Sequence, residues 1–171
     1  MSDFPKIKSR QTIDISPWMK IIEREVEFAA GATPELYHAV GQQDYIAIVA
    51  MTPDGKIPIV RQYRPALERF TWELPAGLVD EGEDAAATCS RELMEETGFP
   101  AKAVHALGTY APCTARLSNR LHSFFVAYST KFRRAPLLGA LAEVSSGYVQ
   151  QILVLPGFPG GFSLVVMGRD A

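Results

Sequence analysis

The chain has 171 residues, of which 47% are hydrophobic and 21% charged, and its net charge is −2. This is the composition of an ordinary soluble globular protein, long enough for one domain with a sizeable core. It gives no electrostatic case for a nucleic-acid or polybasic membrane binder, and the two cysteines, Cys89 and Cys113, form neither a disulfide framework nor a metal-ligand pattern.

The opening residues, Met1 to Arg10, hold no apolar stretch of the kind that drives secretion. From about residue 7 to residue 50 the pattern predicts mainly strands. Thr12 to Ile15 alternates weakly, Met19 to Phe28 reads as a strand or a short helix, and Leu36 to Val40 as a brief strand. Tyr45 to Met51 is continuously apolar and predicts a buried central strand. Pro53-Asp54-Gly55-Lys56 has hairpin-turn chemistry, so Ile57 to Tyr63 is expected to return beside it.

Arg61 and Arg64 stand three apart in an extended segment, which puts them on opposite faces. One would meet an anionic substrate, since guanidinium grips phosphate oxygens in pairs; the alternative is a surface arginine paired with Glu68 or Glu73. Trp72 to Gly77 reads as a short strand, with Glu73 facing a site or pairing with an arginine.

The segment that follows carries the chemistry. Five residues between Glu83 and Glu96 inclusive are acidic. Asp84 suits an N-cap, Ala85, Ala86 and Ala87 are strong helix formers, and Gly98 suits a left-handed C-terminus, so a helix is predicted between them. Cys89 and Leu93 lie four apart and make its apolar face. On that helix Glu92, Glu95 and Glu96 project from roughly one side, where like charges cost about 0.2–0.5 kcal/mol per pair. A divalent cation is the simplest group to offset that repulsion, because carboxylates are hard oxygen ligands.

Beyond the helix, Val104 to Tyr110 and Leu121 to Tyr128 read as strands joined by a loop, Ala111 to Arg120. His38, His105 and His122 show no metal-ligand spacing and read as structural. The uncharged stretch Gln151 to Gly168 is broken by prolines and glycines and makes a poor membrane helix, so a cytoplasmic location is expected.

Gly77, Glu83, Arg91, Glu92, Leu93, Glu95, Glu96, Gly98 and Phe99 keep the spacing of the Nudix hydrolase signature, with five residues between Gly77 and Glu83 and seven between Glu83 and Arg91. From Arg61-Gln62-Tyr63-Arg64-Pro65 through Trp72-Glu73-Leu74-Pro75-Ala76-Gly77 to this signature, the chain resembles the ADP-ribose pyrophosphatase branch of that family, over roughly residues 10 to 130. The resemblance implies one Nudix domain of the α+β class, a mixed β-sheet between helices in an α/β/α sandwich. It implies a Mg²⁺-dependent pyrophosphohydrolase, with Mn²⁺ as a substitute, that cleaves a nucleoside diphosphate-linked small molecule, ADP-ribose first, with another sugar nucleotide or a dinucleoside polyphosphate as the alternative. Glu92 and Glu96 would bind the metal with the Ala76 carbonyl, and Glu95 would share a metal or orient water. Glu83 would support the helix through Arg91. Arg64 would contact substrate phosphates, Glu73 would face the site, and Arg116 and Arg120 are candidate phosphate or ribose contacts, or else ordinary loop arginines. Relatives in this branch exchange N-terminal strands, so residues 1–44 are expected to form a homodimer.

From Phe132 onward the chain departs from the family, as a genuine variant or as the product of a shifted reading frame. The family takes its general base from a later loop; here Glu143 is the only acidic residue near that place, and no base is assigned. A non-enzymatic alternative, a nucleotide-binding module that has lost catalysis with its altered tail, stays open.

Overall fold

The computed structural model describes residues 4–51, 56–128 and 149–156. The chain divides into two compact units, Met1–Asp44 with Thr109–Leu121, and Tyr45–Gly108 with His122–Ala171.

In the first unit, β1 (Lys6–Ser16), β2 (Met19–Glu27) and β3 (Glu35–Gly41) form an antiparallel meander in the order β1-β2-β3. The Met19–Phe28 segment is thus a strand, not a helix. Its alternating charges have cross-strand partners: Lys8 Nζ reaches Glu27 at 3.1 Å, Ser9 donates to Glu25 at 2.7 Å, and His38 lies 3.1 Å from Glu23. Such pairs are the unit of sheet stabilisation. Gly41 sits opposite Lys20, where a Cβ would come within 2.7 Å of the Lys20 side chain. The loop 111–120 is strapped to the end of β3: Val40 N donates to Arg116 O at 2.7 Å and Ser118 N to Val40 O at 3.0 Å.

Among the described residues of the second unit the strands are β4 (Tyr45–Met51), β5 (Lys56–Arg64), β6 (Arg69–Glu73), β7 (Ala76–Leu78), β8 (Ala101–Tyr110), β9 (Leu121–Tyr128) and β10 (Val149–Pro156), with one α-helix, α1 (Ala85–Thr97). They form two sheets, β7-β4-β9-β8 and β10-β5-β6. A helix packed on sheets in this order is an α+β architecture. Among the described residues α1 is the one α-helix, so the second helical layer of the expected α/β/α sandwich is not seen among them, and the tail apart from β10 lies outside them.

Alternate residues of β4, Ile46, Ile48 and Ala50, are fully buried against Cys89 and Leu93 of α1 and Phe124 and Val126 of β9. Each large apolar side chain in such a core contributes about 1.5–3 kcal/mol over exposure. α1 begins where Asp84 Oδ2 accepts the N–H groups of Ala86 (3.1 Å) and Ala87 (3.2 Å), and it ends at Gly98 in the left-handed region, φ 72°.

Two expectations are corrected here. The turn chemistry at Pro53–Lys56 predicts that β5 pairs with β4, but both edges of β4 are taken, by β7 and β9, and β5 pairs instead with β6 and β10. The turn itself, residues 52–55, lies outside the described residues. The single strand expected from Trp72 to Gly77 is two, β6 and β7, split at Leu74-Pro75, where proline has no N–H to give a ladder. Among the described residues no helix is long and apolar enough to cross a membrane.

Candidate active site

The site is built where α1 lies against β7 and β5. The short strand β7 hangs on β4 through Ala47↔Ala76 and Ile46↔Gly77 pairing, and Ile48 N donates to Pro75 O at 2.9 Å. This fixes the backbone of Ala76 and Gly77 beside the helix. A Cβ at Gly77 would fall 2.1 Å from Glu92 Cδ, so glycine is what lets the Glu92 carboxylate lie against β7.

Glu96 is the most enclosed carboxylate of the site, 8% exposed. Its Oε2 accepts the Ala76 N–H at 3.1 Å and its Oε1 accepts from Gln62 Nε2 at 3.1 Å. Burial pushes its pKa up to about 7; the Ala76 amide opposes that shift and the Glu92 charge adds to it. Glu92 is also raised, first by burial, with Arg91 pulling the other way. Glu95 stands at the flank, with half its side chain in solvent, and Arg91 Nη1 reaches it at 3.4 Å.

Arg91 ties the helix to the loop before it. Its Nε donates to Glu83 Oε1 at 3.1 Å and its Nη2 to Glu83 Oε2 at 2.9 Å, a two-pronged pair, while Nη1 donates to Glu92 at 2.8 Å. Glu83 also accepts from Thr88 Oγ1 at 2.8 Å. The Arg91 hydrogen bonds, followed by that of Thr88, lower the Glu83 carboxyl to about 2.

On β5, Arg64 donates through Nε to Glu73 Oε1 at 2.8 Å and through Nη2 to Glu73 Oε2, and Thr71 Oγ1 donates to the same carboxylate. This pair lowers the Glu73 pKa and raises that of Arg64. Of the two readings of Glu73 offered by the sequence, the ion pair with an arginine is the one formed. Arg61, on the opposite face, lies over the Phe70 ring at 4.1 Å. Arg116 and Arg120 belong to the first unit, where the Arg120 N–H donates to Asp44 Oδ1 at 2.7 Å.

The structure thus brings Glu92, Glu96, Ala76 and Gly77 together, sets Glu95 at their edge, and places Arg64 with Glu73 on the neighbouring strand pair. Among the described residues no three histidine, cysteine or acidic side chains converge as a ready metal cage. The donor set still fits a hard cation. Two carboxylates are held partly out of water, Glu92 with a share of the Arg91 guanidinium that also serves Glu83, and Mg²⁺ in particular takes one or two carboxylates, keeps several waters and fills its shell from substrate phosphates.

A NUDIX domain family model matches residues 41–152, more than half of the chain. The chain belongs to the Nudix family. An ADP-ribose pyrophosphatase of Bacillus subtilis is 49% identical over 57 residues, 33% of this chain and 31% of that protein. A methanol dehydrogenase activator of Bacillus methanolicus is 33% identical over 106 residues, 62% of this chain and 57% of that protein. The chain therefore spans between about a third and just over half of the length of these curated relatives. The crystal structure of an ADP compounds hydrolase superposes with a TM-score of 0.68 at 20% sequence identity, covering 89% of this chain and 78% of that one, which shows the Nudix fold.

Sequence reasoning passed over Gln62. It lies in the run Arg61 to Pro65 beside the candidate phosphate contact Arg64, but its own partner, Glu96, is 34 positions away. The only available hint was its place on the same face of an extended segment as Arg64.

Proposed function

We propose that this Nudix protein hydrolyses the pyrophosphate bond of a nucleoside diphosphate-linked substrate in a Mg²⁺-dependent reaction, with ADP-ribose, giving AMP and ribose 5-phosphate, as its preferred substrate. The observation that carries the proposal is the pair of carboxylates, Glu92 and Glu96, held out of solvent side by side against the β7 backbone. The similarity to ADP-ribose pyrophosphatases supports the choice of substrate.

Glu92, Glu96 and the Ala76 carbonyl would hold the cation, with Mn²⁺ able to replace Mg²⁺. When bound, it neutralises charge on the phosphoryl oxygens and lowers the pKa of a coordinated water. Glu95, at the solvent edge, would share the metal or orient the water. Arg91 fixes Glu92 and is itself fixed by Glu83, which keeps the carboxylates in place and reduces their mutual repulsion. Arg64 would hold the substrate phosphates, as guanidinium suits phosphate oxygens, with Glu73 keeping it oriented at the site. Arg116 and Arg120 would supply further phosphate or ribose contacts. The loop expected to provide the general base, Glu143 included, lies outside the described residues.

The proposal includes a homodimer formed through the first unit. Ile7, Ile15, Trp18 and Leu36 expose more than half of their surface there, apolar area that a partner would cover. Light scattering on the purified chain reads the assembly directly.

The test of function is a substrate panel of ADP-ribose, other nucleoside diphosphate sugars and dinucleoside polyphosphates, with Mg²⁺ and then with chelator. Metal-dependent release of AMP from ADP-ribose at the highest kcat/KM supports the reading. Tight binding without turnover favours the module that has lost catalysis.

A further inference from the structure

Gln62 is 6% exposed, near the C-terminal end of β5, the central strand of the sheet β10-β5-β6. A primary amide so placed is costly unless its hydrogen bonds are made. Its Nε2 donates to Glu96 Oε1 at 3.1 Å. The other oxygen of the same carboxylate accepts the Ala76 N–H, also at 3.1 Å. Each oxygen of Glu96 is therefore anchored by one donor, from β5 on one side and from β7 on the other. Two anchors fix both the position of the carboxylate and its rotation about its last bond. An ionised carboxylate has about four acceptor positions, so two donors leave lone pairs over for a cation.

We infer that Gln62 is a positioning residue for the cation site: its amide fixes the orientation in which Glu96 presents its remaining lone pairs to a divalent metal ion. Replacing a residue that orients a metal ligand from behind costs about 10- to 100-fold in metal affinity or activity. The strand period adds a consequence. Gln62 and Arg64 share a face of β5, and they hold Glu96 and Glu73 respectively. One strand face thereby sets the spacing between the carboxylate that meets the cation and the arginine that meets the phosphates. This inference rests on the function proposed above.

The test uses the full chain and two variants. Gln62→Met keeps the length of the side chain and removes the donor; Gln62→Glu keeps its shape and puts a carboxylate against Glu96. Folding is read from the thermal midpoint in chelator, Mn²⁺ affinity from electron paramagnetic resonance, and kcat and KM from Mg²⁺-dependent ADP-ribose hydrolysis. The expected result for Gln62→Met is a Kd for Mn²⁺ raised by about 10- to 100-fold and a kcat lowered by a similar factor, with KM for ADP-ribose unchanged. Gln62→Glu loses more of both. A folded Gln62→Met protein with wild-type Mn²⁺ affinity and kcat overturns the inference. If Gln62→Met does not fold, Gln62→Glu carries the same test, and wild-type Mn²⁺ affinity in it overturns the inference. The two readings fail separately: a wild-type chain that binds Mn²⁺ and cleaves ADP-ribose beside unaffected variants removes the role of Gln62 alone, whereas a wild-type chain that binds no Mn²⁺ removes both.

Discussion

The Glu92 carboxylate occupies the space that any side chain at Gly77 would need, with Cδ 2.1 Å from the position of a Gly77 Cβ. Gly77 has no positive φ, so its backbone would accept alanine without strain. What must give is the flexible end of Glu92. Gly77→Ala is therefore expected to fold with a small change in thermal midpoint and to displace Glu92. A misplacement of about 1 Å costs about 100-fold in turnover. Steady-state kinetics beside a melting curve checks this, and an unchanged kcat would mean that Glu92 need not lie against β7.

Glu92→Gln and Glu96→Gln remove a metal-binding charge while keeping side-chain volume. Each is expected to lower kcat by orders of magnitude and leave the circular dichroism spectrum unaltered. Near-normal Mg²⁺-dependent hydrolysis by either variant would remove that residue from the set of ligands.

The carboxyl of Glu96 has its folded pKa raised from 4.5 to about 7, so the native state holds a proton that the unfolded state has released. The stability associated with that proton is complete below pH 4.5 and is lost as pH rises through 7. In metal-free protein, Glu96→Gln should be more stable than wild type at pH 8, by on the order of 3 kcal/mol, and close to it at pH 4.5. Glu83 behaves oppositely: its folded pKa is lowered to about 2, so its contribution is present above 4.5 and disappears as pH falls through 2. Urea titrations in chelator at several pH values would read both, and a stability difference for Glu96→Gln that does not vary with pH would refute the raised pKa.

Asp84 satisfies two N–H groups at the start of α1, the end of the helix away from Glu92 and Glu96. Asp84→Ala should cost about 1 kcal/mol of stability. Because Glu92 and Glu96 lie in the second half of the helix, Mn²⁺ affinity should be unchanged. Chemical denaturation with a parallel metal titration would separate the two.

How far this was legible depends on how local each cause is. Asp84, the alanines and Gly98 act within a turn of themselves, and α1 stands where they place it. The apolar run of β4 likewise reads as a buried strand because its burial is nearly independent of its partners. Strand pairing is not local. The turn chemistry after β4 says that the chain reverses, but whether β5 lies beside β4 depends on β7 and β9 already occupying its edges. Spacing put Glu92, Glu95 and Glu96 on one side of a helix, yet it could not say that Glu96 would be enclosed and Glu95 half in water, because that is decided by β7 and Gln62. The Arg64–Glu73 pair was one of two readings on offer, and only the β5–β6 register, which sets Arg64 opposite Arg69 and Val60 opposite Glu73, shows that the two side chains share a face.

The central claim is that the carboxylates of α1 serve metal-dependent cleavage of a diphosphate. The most direct measurement is product analysis after incubating the purified chain with ADP-ribose and Mg²⁺, with the Glu96→Gln variant and a chelated sample run beside it. Equal amounts of AMP and ribose 5-phosphate from the wild type, and neither product from the two controls, is the result expected. No AMP from the wild type, or the same yield with chelator or with Glu96→Gln, would contradict it.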